Sequence, residues 1–281
     1  MVNCLRPKSL DEALAFRAET KALPFAGGTD LMVKHRGYSG TGPRFDRPVL
    51  FLDALESLRT ISLSNGLIRI GAALPLADIL AFSGLPELLR RSLSSIAAPG
   101  LRNRASLGGN IANASPAGDS LPPLYVHEAL LVLKSLRGER QVPIDKFFTG
   151  PGASVLAEDE ILSEIQVPLL GQGLVYYRKV GTRKANALSK ISAAGYALTQ
   201  NGKLTDFRFA VGAVAPTVIR LKKAEEMLLA GTAEAALQAA AEYLRPIDDQ
   251  RSTAAYRTQT ALNSLKEFMG MHPQLKSIKM K

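Results

Sequence analysis

The chain has 281 residues, 46% of them hydrophobic and 21% charged, which suits one large or two medium globular domains. No apolar run approaches the roughly 18–20 residues that span a bilayer, and we expect no membrane span. The net charge of +10 raises the question of whether the protein binds nucleic acid. Because Lys and Arg are dispersed, Trp is absent and aromatic residues make up only 6%, we expect no nucleic-acid partner.

Cysteine and histidine usage excludes several kinds of metal site. The single cysteine, Cys4, excludes an intramolecular disulfide or a cluster held by cysteines of this chain, and its apolar neighbours predict a buried side chain. The three histidines lie in unrelated contexts, so we expect no metal site. The first residues, MVNCLRPKSLDEAL, lack the apolar core of a signal peptide, and the expected location is the cytoplasm.

The N-terminal segment predicts alternating helices and strands. A capping box at Ser9–Glu12 begins a short amphipathic helix that ends near Arg17. The strand ALPFA then leads into a glycine pair, and Thr29 is the predicted N-cap of a helix with the sequence DLMVKHR. The apolar run VLFLD, residues 49–53, predicts a buried strand.

The middle of the chain is richer in strands. Residues 60–71 predict a hairpin, because two alternating segments flank Asn65-Gly66, a strong type I′ turn signal. Helical patterns follow at 75–82 and 86–96. Three further segments then read as strands: ALLVLKS, RQVPI and ILSEIQVP.

A change of pattern near residue 170 predicts a second domain. LLGQGL, residues 169–174, reads as a linker. Beyond it, strands are predicted near 174–180, 189–199 and 204–214, followed by helices near 217–230, 233–244 and 253–268. Strands grouped before helices indicate an α+β fold, so we expect domains at residues 1–170 and 174–281.

Several common motifs are absent from the sequence. There is no GxxxxGK[ST] phosphate loop, and no GxGxxG follows a strand and opens a helix. A GxSxG nucleophile elbow and a zinc-protease HExxH are also missing. These absences disfavour P-loop nucleotide hydrolysis, a Rossmann cofactor domain and the commonest hydrolase sites.

The first chemistry-bearing stretch is PFAGGTDL, residues 24–31. Its glycines permit close backbone approach, and their N–H groups can form a concave anion site. Thr29 adds a hydroxyl donor, and a helix N-terminus favours a phosphate. The alternative interpretation is a tight strand–helix turn with an ordinary Thr cap.

The second stretch is RASLGGNIANASPAGD, residues 104–119. Gly108 and Gly109 again offer backbone donors, and the sequence surrounds them with serine and asparagine side chains. Asp119 is a pure acceptor when ionised and suits sugar or ribityl hydroxyls. Two glycine nests could hold the two phosphates of one pyrophosphate, whereas the alternative is a long polar loop with ordinary turn chemistry.

Taken together, AGGTDL and RNRASLGGNIANASPAGD resemble the flavin-binding subunit of bacterial molybdenum hydroxylases, a group that includes xanthine dehydrogenases and the medium subunit of carbon monoxide dehydrogenase. The resemblance covers essentially the whole chain and continues through FFTGPG, DEILSEIQVP, YYRKVGTRKA and DDQRSTAAYR. It implies an α+β fold, in which a vanillyl-alcohol-oxidase (PCMH)-type FAD-binding domain of two subdomains precedes a smaller C-terminal α+β domain.

The resemblance also implies the residues that bind FAD. The first loop contributes Pro24, Phe25, Ala26, Gly27, Gly28, Thr29, Asp30 and Leu31, and the second contributes Ser106, Gly109, Asn110, Asn113, Ser115 and Asp119. Ile96 and Ala97 match positions beside the cofactor, Leu162 matches an apolar contact, and Lys179 matches a lysine near the flavin. As a cation there, Lys179 would favour a reduced, anionic flavin, whereas the alternative is a surface lysine in a basic run. Neither loop offers His or Cys for a covalent link, so the expected FAD is non-covalent.

The implied activity is electron transfer within a complex. Electrons would arrive from [2Fe–2S] clusters of a small partner subunit, after hydroxylation at the molybdopterin of a large one, and leave through FAD to NAD⁺ or another acceptor. With only Cys4, this chain cannot carry the extra [4Fe–4S] cluster of some relatives, and GTRKANALSKIS favours the xanthine dehydrogenase branch. The alternatives are another molybdenum hydroxylase, oxidising carbon monoxide, N-heterocycles or aldehydes; a stand-alone flavin oxidase; or a non-enzymatic assembly subunit.

Overall fold

The computed structural model describes residues 3–183, 185–272 and 275. The first region is a three-stranded parallel sheet, with strand order β1-β3-β2. Its elements are β1 (Cys4–Leu5), α1 (Leu10–Thr20), β2 (Leu23–Phe25), α2 (Leu31–Lys34) and β3 (Val49–Phe51).

The capping box at the start of α1 is confirmed in part, because the Glu12 carboxylate accepts from Lys8 and not from the N-cap residue Ser9. The Ser9 hydroxyl accepts from the Glu12 N–H at 3.1 Å, and the Glu12 carboxylate accepts from the Lys8 N–H at 2.7 Å. The helix extends beyond Arg17 to Thr20 and ends where Lys21 adopts a left-handed conformation. The prediction of a buried Cys4 is wrong: β1 is an edge strand, and its cysteine is exposed.

The second region is an antiparallel five-stranded sheet, with strand order β4-β5-β10-β6-β7. A 3₁₀ turn at Glu56–Leu58 precedes it. Its elements are β4 (Ile61–Ser64), β5 (Leu67–Gly71), α3 (Leu76–Ala81), α4 (Glu87–Ser94), α5 (Pro99–Arg102), α6 (Leu107–Ala112), α7 (Leu121–Val126), β6 (Leu130–Ser135), β7 (Gly138–Pro143), α8 (Ile144–Phe147), β8 (Phe148–Gly150), β9 (Ala153–Ser154) and β10 (Ile161–Pro168).

The predicted β4–β5 hairpin is confirmed, with Asn65 and Gly66 both at positive φ as a type I′ turn requires. The glycine-rich second stretch is not the loop we expected. Residues Leu107–Ala112 form the short helix α6, with Ser106 as its N-cap. Two adjacent glycines have poor helix propensity, and tertiary packing overrides it here.

The third region is an antiparallel four-stranded sheet, with strand order β11-β12-β13-β14, followed by three helices. Its elements are β11 (Leu174–Val180), β12 (Ile191–Gln200), β13 (Lys203–Gly212), β14 (Ile219–Arg220), α9 (Lys222–Leu229), α10 (Ala233–Tyr243) and α11 (Ala254–Met271). The predicted order of strands before helices is confirmed. The helix predicted from residue 217 starts at Lys222, because Ile219 and Arg220 pair with β13.

One hydrophobic core spans the second and third regions, and the third region has a further core of its own. Leu121 and Leu124 of α7 belong to the same buried cluster as Ala194, Tyr196 and Ala210 of β12 and β13. Helix α7 directly follows the second glycine stretch in the chain. The third region is therefore packed beside the polar residues that precede α7.

Among residues 3–183, 185–272 and 275, no helix is both long and apolar enough to cross a membrane. Within those same ranges, no three His, Cys, Asp or Glu side chains are grouped so that they could hold a metal ion.

Candidate functional site

A cavity of 620 Å³ lies where the three regions meet. Its walls come from the segment that joins β2 to α2, from residues around α6, and from Asn186–Leu188 after β11. Its volume falls within the range of roughly 300–1,000 Å³ that is typical of small-molecule sites.

Nearly all the residues implied by the sequence resemblance line this cavity. They are Pro24, Ala26, Gly27, Gly28, Thr29, Asp30, Leu31, Ile96, Ala97, Ser106, Gly109, Asn110, Asn113, Ser115, Asp119, Leu162 and Lys179. Phe25 is the exception. Its ring packs against Phe51, with centroids 5.0 Å apart, and lies where a side chain on Gly28 would otherwise project.

The first stretch presents free backbone donors. Gly28 has a φ of +72°, and in the described part of the chain the N–H groups of Gly27, Gly28 and Thr29 have no protein acceptor. The predicted helix cap is wrong: α2 is a single turn that begins at Leu31, with Asp30 before it, and the Thr29 hydroxyl makes no capping bond. Three unpaired N–H groups and one hydroxyl therefore remain for a ligand, although the short α2 adds little dipole.

The second stretch does not form a second glycine nest, so that prediction is wrong. The Gly108 N–H donates to the Ala72 carbonyl at 3.0 Å, and the Gly109 N–H donates to the Ser106 hydroxyl at 3.1 Å. Gly108 is there for packing, since a Cβ on it would stand 2.5 Å from the Ala72 Cβ. The N–H groups of both glycines are therefore already hydrogen-bonded within the protein.

The polar groups that the second stretch offers are side-chain amides. The Asn110 Oδ1 accepts from the Ser120 hydroxyl at 2.6 Å, and the Asn113 Oδ1 accepts from the Lys34 ammonium. These bonds orient each amide and leave both NH₂ groups without a protein acceptor among the described residues. An asparagine NH₂ supplies two donors. The cavity is therefore lined by backbone donors on one side and amide donors on the other.

Asp119 and Lys179 form a buried ion pair at the wall contributed by β11. Lys179 Nζ lies 2.7 Å from Asp119 Oδ2 and 2.9 Å from the Ser95 carbonyl oxygen, and the Ser189 hydroxyl donates to the other carboxylate oxygen. Both charged side chains are almost fully buried. Burial raises the pKa of Asp119, although Lys179 and Ser189 oppose that shift.

This pairing changes how Lys179 is understood. The sequence suggested either a lone cation beside the ligand or a surface lysine, and the structure shows neither. Its charge is balanced by Asp119 within the protein. A group in the cavity therefore meets an ion pair with almost no net charge. The main effect of the pair is to hold the Asp119 and Lys179 side chains in place.

Some lining residues were not anticipated from sequence. Arg17 lines the cavity from α1, with its guanidinium buried and donating to the carbonyls of Ala22, Ala157 and Glu160. Burial lowers its pKa to about 10. Arg47 and Asn186–Leu188 also line it. No local sequence signal marks these positions, because only the tertiary fold brings them to the cavity.

Comparison with known proteins assigns the family. The family profile described as "FAD binding domain in molybdopterin dehydrogenase" matches residues 1–170, and the "CO dehydrogenase flavoprotein C-terminal domain" matches residues 176–271. The chain is 35% identical over 230 residues to the xanthine dehydrogenase FAD-binding subunit of Escherichia coli O157:H7, covering 79% of this chain and 77% of that one. It is 31% identical over 268 residues to the carbon monoxide dehydrogenase medium chain of Hydrogenophaga pseudoflava, covering 91% of each.

A solved structure agrees with the sequence comparisons. Carbon monoxide dehydrogenase from Hydrogenophaga pseudoflava, in a form that lacks the Mo-pyranopterin moiety, superposes with a TM-score of 0.87 at 28% identity, covering 95% of each chain. The protein therefore belongs to the FAD-binding subunits of the molybdenum hydroxylases. It is an oxidoreductase component with a PCMH-type FAD-binding domain and a C-terminal α+β domain.

The donors in the cavity fit the cofactor of this family. An anionic pyrophosphate matches the unpaired N–H groups of Gly27, Gly28 and Thr29. The amides of Asn110 and Asn113 suit phosphate or sugar oxygens. The residues present thus supply the donor chemistry that FAD requires.

Proposed function

We propose that this chain is the FAD-binding, electron-transferring subunit of a xanthine-dehydrogenase-like molybdenum hydroxylase. Electrons would reach it from the [2Fe–2S] clusters of a small partner subunit and leave to an acceptor such as NAD⁺. The large partner would hold the molybdopterin, and the assembly would be cytoplasmic. The same proposal divides the chain into functional domains at residues 1–170 and 174–281.

One observation carries the proposal: Gly27, Gly28 and Thr29, whose N–H groups have no acceptor among the described residues, line the same cavity as Asn110 and Asn113. A scaffold subunit without a cofactor would have no use for this set of unpaired donors. In our proposal the backbone donors bind the pyrophosphate, and the asparagine amides bind neighbouring oxygens.

The remaining lining residues would position the flavin ring. FAD, when bound, supplies the redox chemistry, and the protein supplies binding, orientation and electrostatics. Ile96, Ala97 and Leu162 line the cavity and would contact the ring, while the Asp119–Lys179 pair would hold the wall from the C-terminal domain in place. The described site residues include no acid–base pair suited to oxidising a substrate directly, which favours an electron-transfer role over a stand-alone oxidase.

The choice of complex rests on similarity. The xanthine dehydrogenase subunit is the more similar in identity, at 35%, and this favours a xanthine-type complex. The carbon monoxide dehydrogenase medium chain matches over more of the chain, 91% against 79%, which keeps a complex of that class as the second candidate.

Purification of the native complex tests the proposal. We expect the chain to co-purify with two partners, together with molybdenum, iron and FAD in fixed ratios, and the complex to reduce NAD⁺ with a purine substrate. Carbon monoxide oxidation would instead assign the second candidate. Substrate turnover by the isolated chain, or a chain that takes up no flavin when FAD is added, would overturn the proposal.

A further inference from the structure

We infer that Asp249 and Arg257, which lie outside the cavity, form a clamp that positions the cavity wall where the two domains meet. The inference rests on the proposed FAD site. In it, Arg257 is a positioning residue: it holds Lys190 and Ala213, and through them the segments that carry Asp119 and Pro116.

Arg257 lies on α11 with only 5% of its side chain exposed. Its Nη2 donates to both carboxylate oxygens of Asp249 at 2.8 Å. Its Nη1 donates at 3.0 Å to two backbone carbonyls, those of Lys190 and Ala213. One planar guanidinium thus fixes two chain segments and is itself oriented by a bidentate carboxylate.

The first of those segments leads directly to the ion pair in the cavity wall. Ser189, next to Lys190, is 1% exposed and donates to the Asp119 carboxylate. The Lys190 N–H donates to the Val180 carbonyl at 2.7 Å, beside Lys179. A shift at Lys190 would therefore displace a donor to Asp119 and the strand end that carries its cation.

The second segment reaches the glycine-rich stretch from the other side. Ala213 has a φ of +63°, a conformation disfavoured for alanine, and its N–H donates to the Pro116 carbonyl at 2.8 Å. Pro116 follows Ser115 and precedes Asp119, both of which line the cavity. The bond from Arg257 to the Ala213 carbonyl helps to hold this strained residue in place.

A second, partly buried arginine in the same domain offers a matched control. Arg220 makes the same kind of paired contact with Glu225, at 2.9 and 3.0 Å, and also bonds to Glu128. None of these three residues lines the cavity. Arg220 and Arg257 therefore lie in the same domain and make the same kind of ion pair. They differ because only Arg257 contacts segments that continue to the cavity wall.

The test compares Arg257→Gln with Arg220→Gln in the full chain, by measuring FAD affinity, the absorption spectrum of the bound flavin and the unfolding temperature. We expect both variants to unfold at lower temperature. Only Arg257→Gln should bind FAD more weakly, by about tenfold, and alter the flavin spectrum. Ser189→Ala, which removes the hydroxyl that donates to Asp119, should weaken FAD binding in the same direction. The double variant Arg257→Gln with Ser189→Ala should lose less FAD affinity than the two single losses combined, because both substitutions act through Asp119.

The inference is overturned if Arg257→Gln keeps the affinity and spectrum of Arg220→Gln, or if its effect and that of Ser189→Ala simply add. If Arg257→Gln does not fold, Arg257→Lys and Ser189→Ala replace it, and unchanged FAD binding in Ser189→Ala overturns the inference. Failure of the unsubstituted chain to bind FAD would refute the proposed function itself, which keeps the two failures distinct.

Discussion

The backbone of Gly27 lies directly against the carbonyl of Arg104: a Cβ on Gly27 would stand 1.9 Å from that oxygen. The two glycine-rich stretches, far apart in sequence, therefore touch through bare backbone. Any side chain at residue 27 would force them apart and enlarge the gap between the donors on the two sides of the cavity.

We therefore expect Gly27→Ala to lower FAD affinity by at least about tenfold and to destabilise the fold by roughly 1–3 kcal/mol through overpacking. Flavin titration and urea denaturation measure the two effects. Gly100→Ala is the matched control, because a Cβ on Gly100 meets no atom within 4 Å. Equal behaviour of the two variants would contradict the role given to Gly27.

The buried Asp119–Lys179 pair predicts an asymmetric response to mutation. Lys179→Met leaves a buried carboxylate without its cation and should cost about 3–5 kcal/mol, whereas the double variant Lys179→Met with Asp119→Leu should recover a large part of that loss. Denaturant unfolding of the single and double variants measures the coupling. Additive effects would show that the two charges do not depend on each other.

The close contact between Gly108 and Ala72 predicts that a second substitution partly restores the stability lost by the first. Gly108→Ala should destabilise the protein, although alanine is the better helix former, because its Cβ would lie 2.5 Å from the Ala72 Cβ. Adding Ala72→Gly removes one of the clashing atoms and should restore part of the stability, while the clash with the Ala72 carbonyl, at 2.6 Å, remains. Thermal unfolding of both variants checks this. No gain from the second substitution would mean that the backbone contact alone sets the cost.

His127 predicts a loss of stability in mild acid. Its Nδ1 lies 2.8 Å from the Pro168 carbonyl, and burial lowers its pKa from 6.5 to about 4. Between those values the unfolded chain binds a proton that the folded protein does not, so stability present above pH 6.5 is lost as the pH falls toward 4. The contribution is at most about 3 kcal/mol.

His127→Gln should flatten the slope of unfolding free energy against pH in that window. Urea denaturation at a series of pH values measures it, and His35→Gln is the control because His35 lies on the exposed segment beside Arg44. Identical slopes for the two variants would show that His127 does not carry the effect.

The sequence predicted the residues that line the cavity more accurately than the hydrogen bonds that those residues make. The stretches around Gly27 and Asn110 contribute to one cavity as expected, because turn chemistry and polar clustering are local properties. The free donors of Gly108 were predicted wrongly, since only the tertiary contact with Ala72 determines that its N–H is used. Arg17 and Ser189 were missed for the same reason: Arg17 bonds to Glu160, 143 residues away in the chain, and Ser189 bonds to Asp119, 70 residues away.

The Asp119–Lys179 contact also has a consequence for biogenesis. The two residues are 60 positions apart, and the lysine belongs to the C-terminal sheet. On a ribosome the N-terminal domain emerges and folds first. Until β11 and the segment through Lys190 have emerged and packed, the cavity lacks one wall and Asp119 lacks its cation. We therefore expect cofactor capture to be a late event in the life of a new chain, and flavin content to report whether its second half has folded.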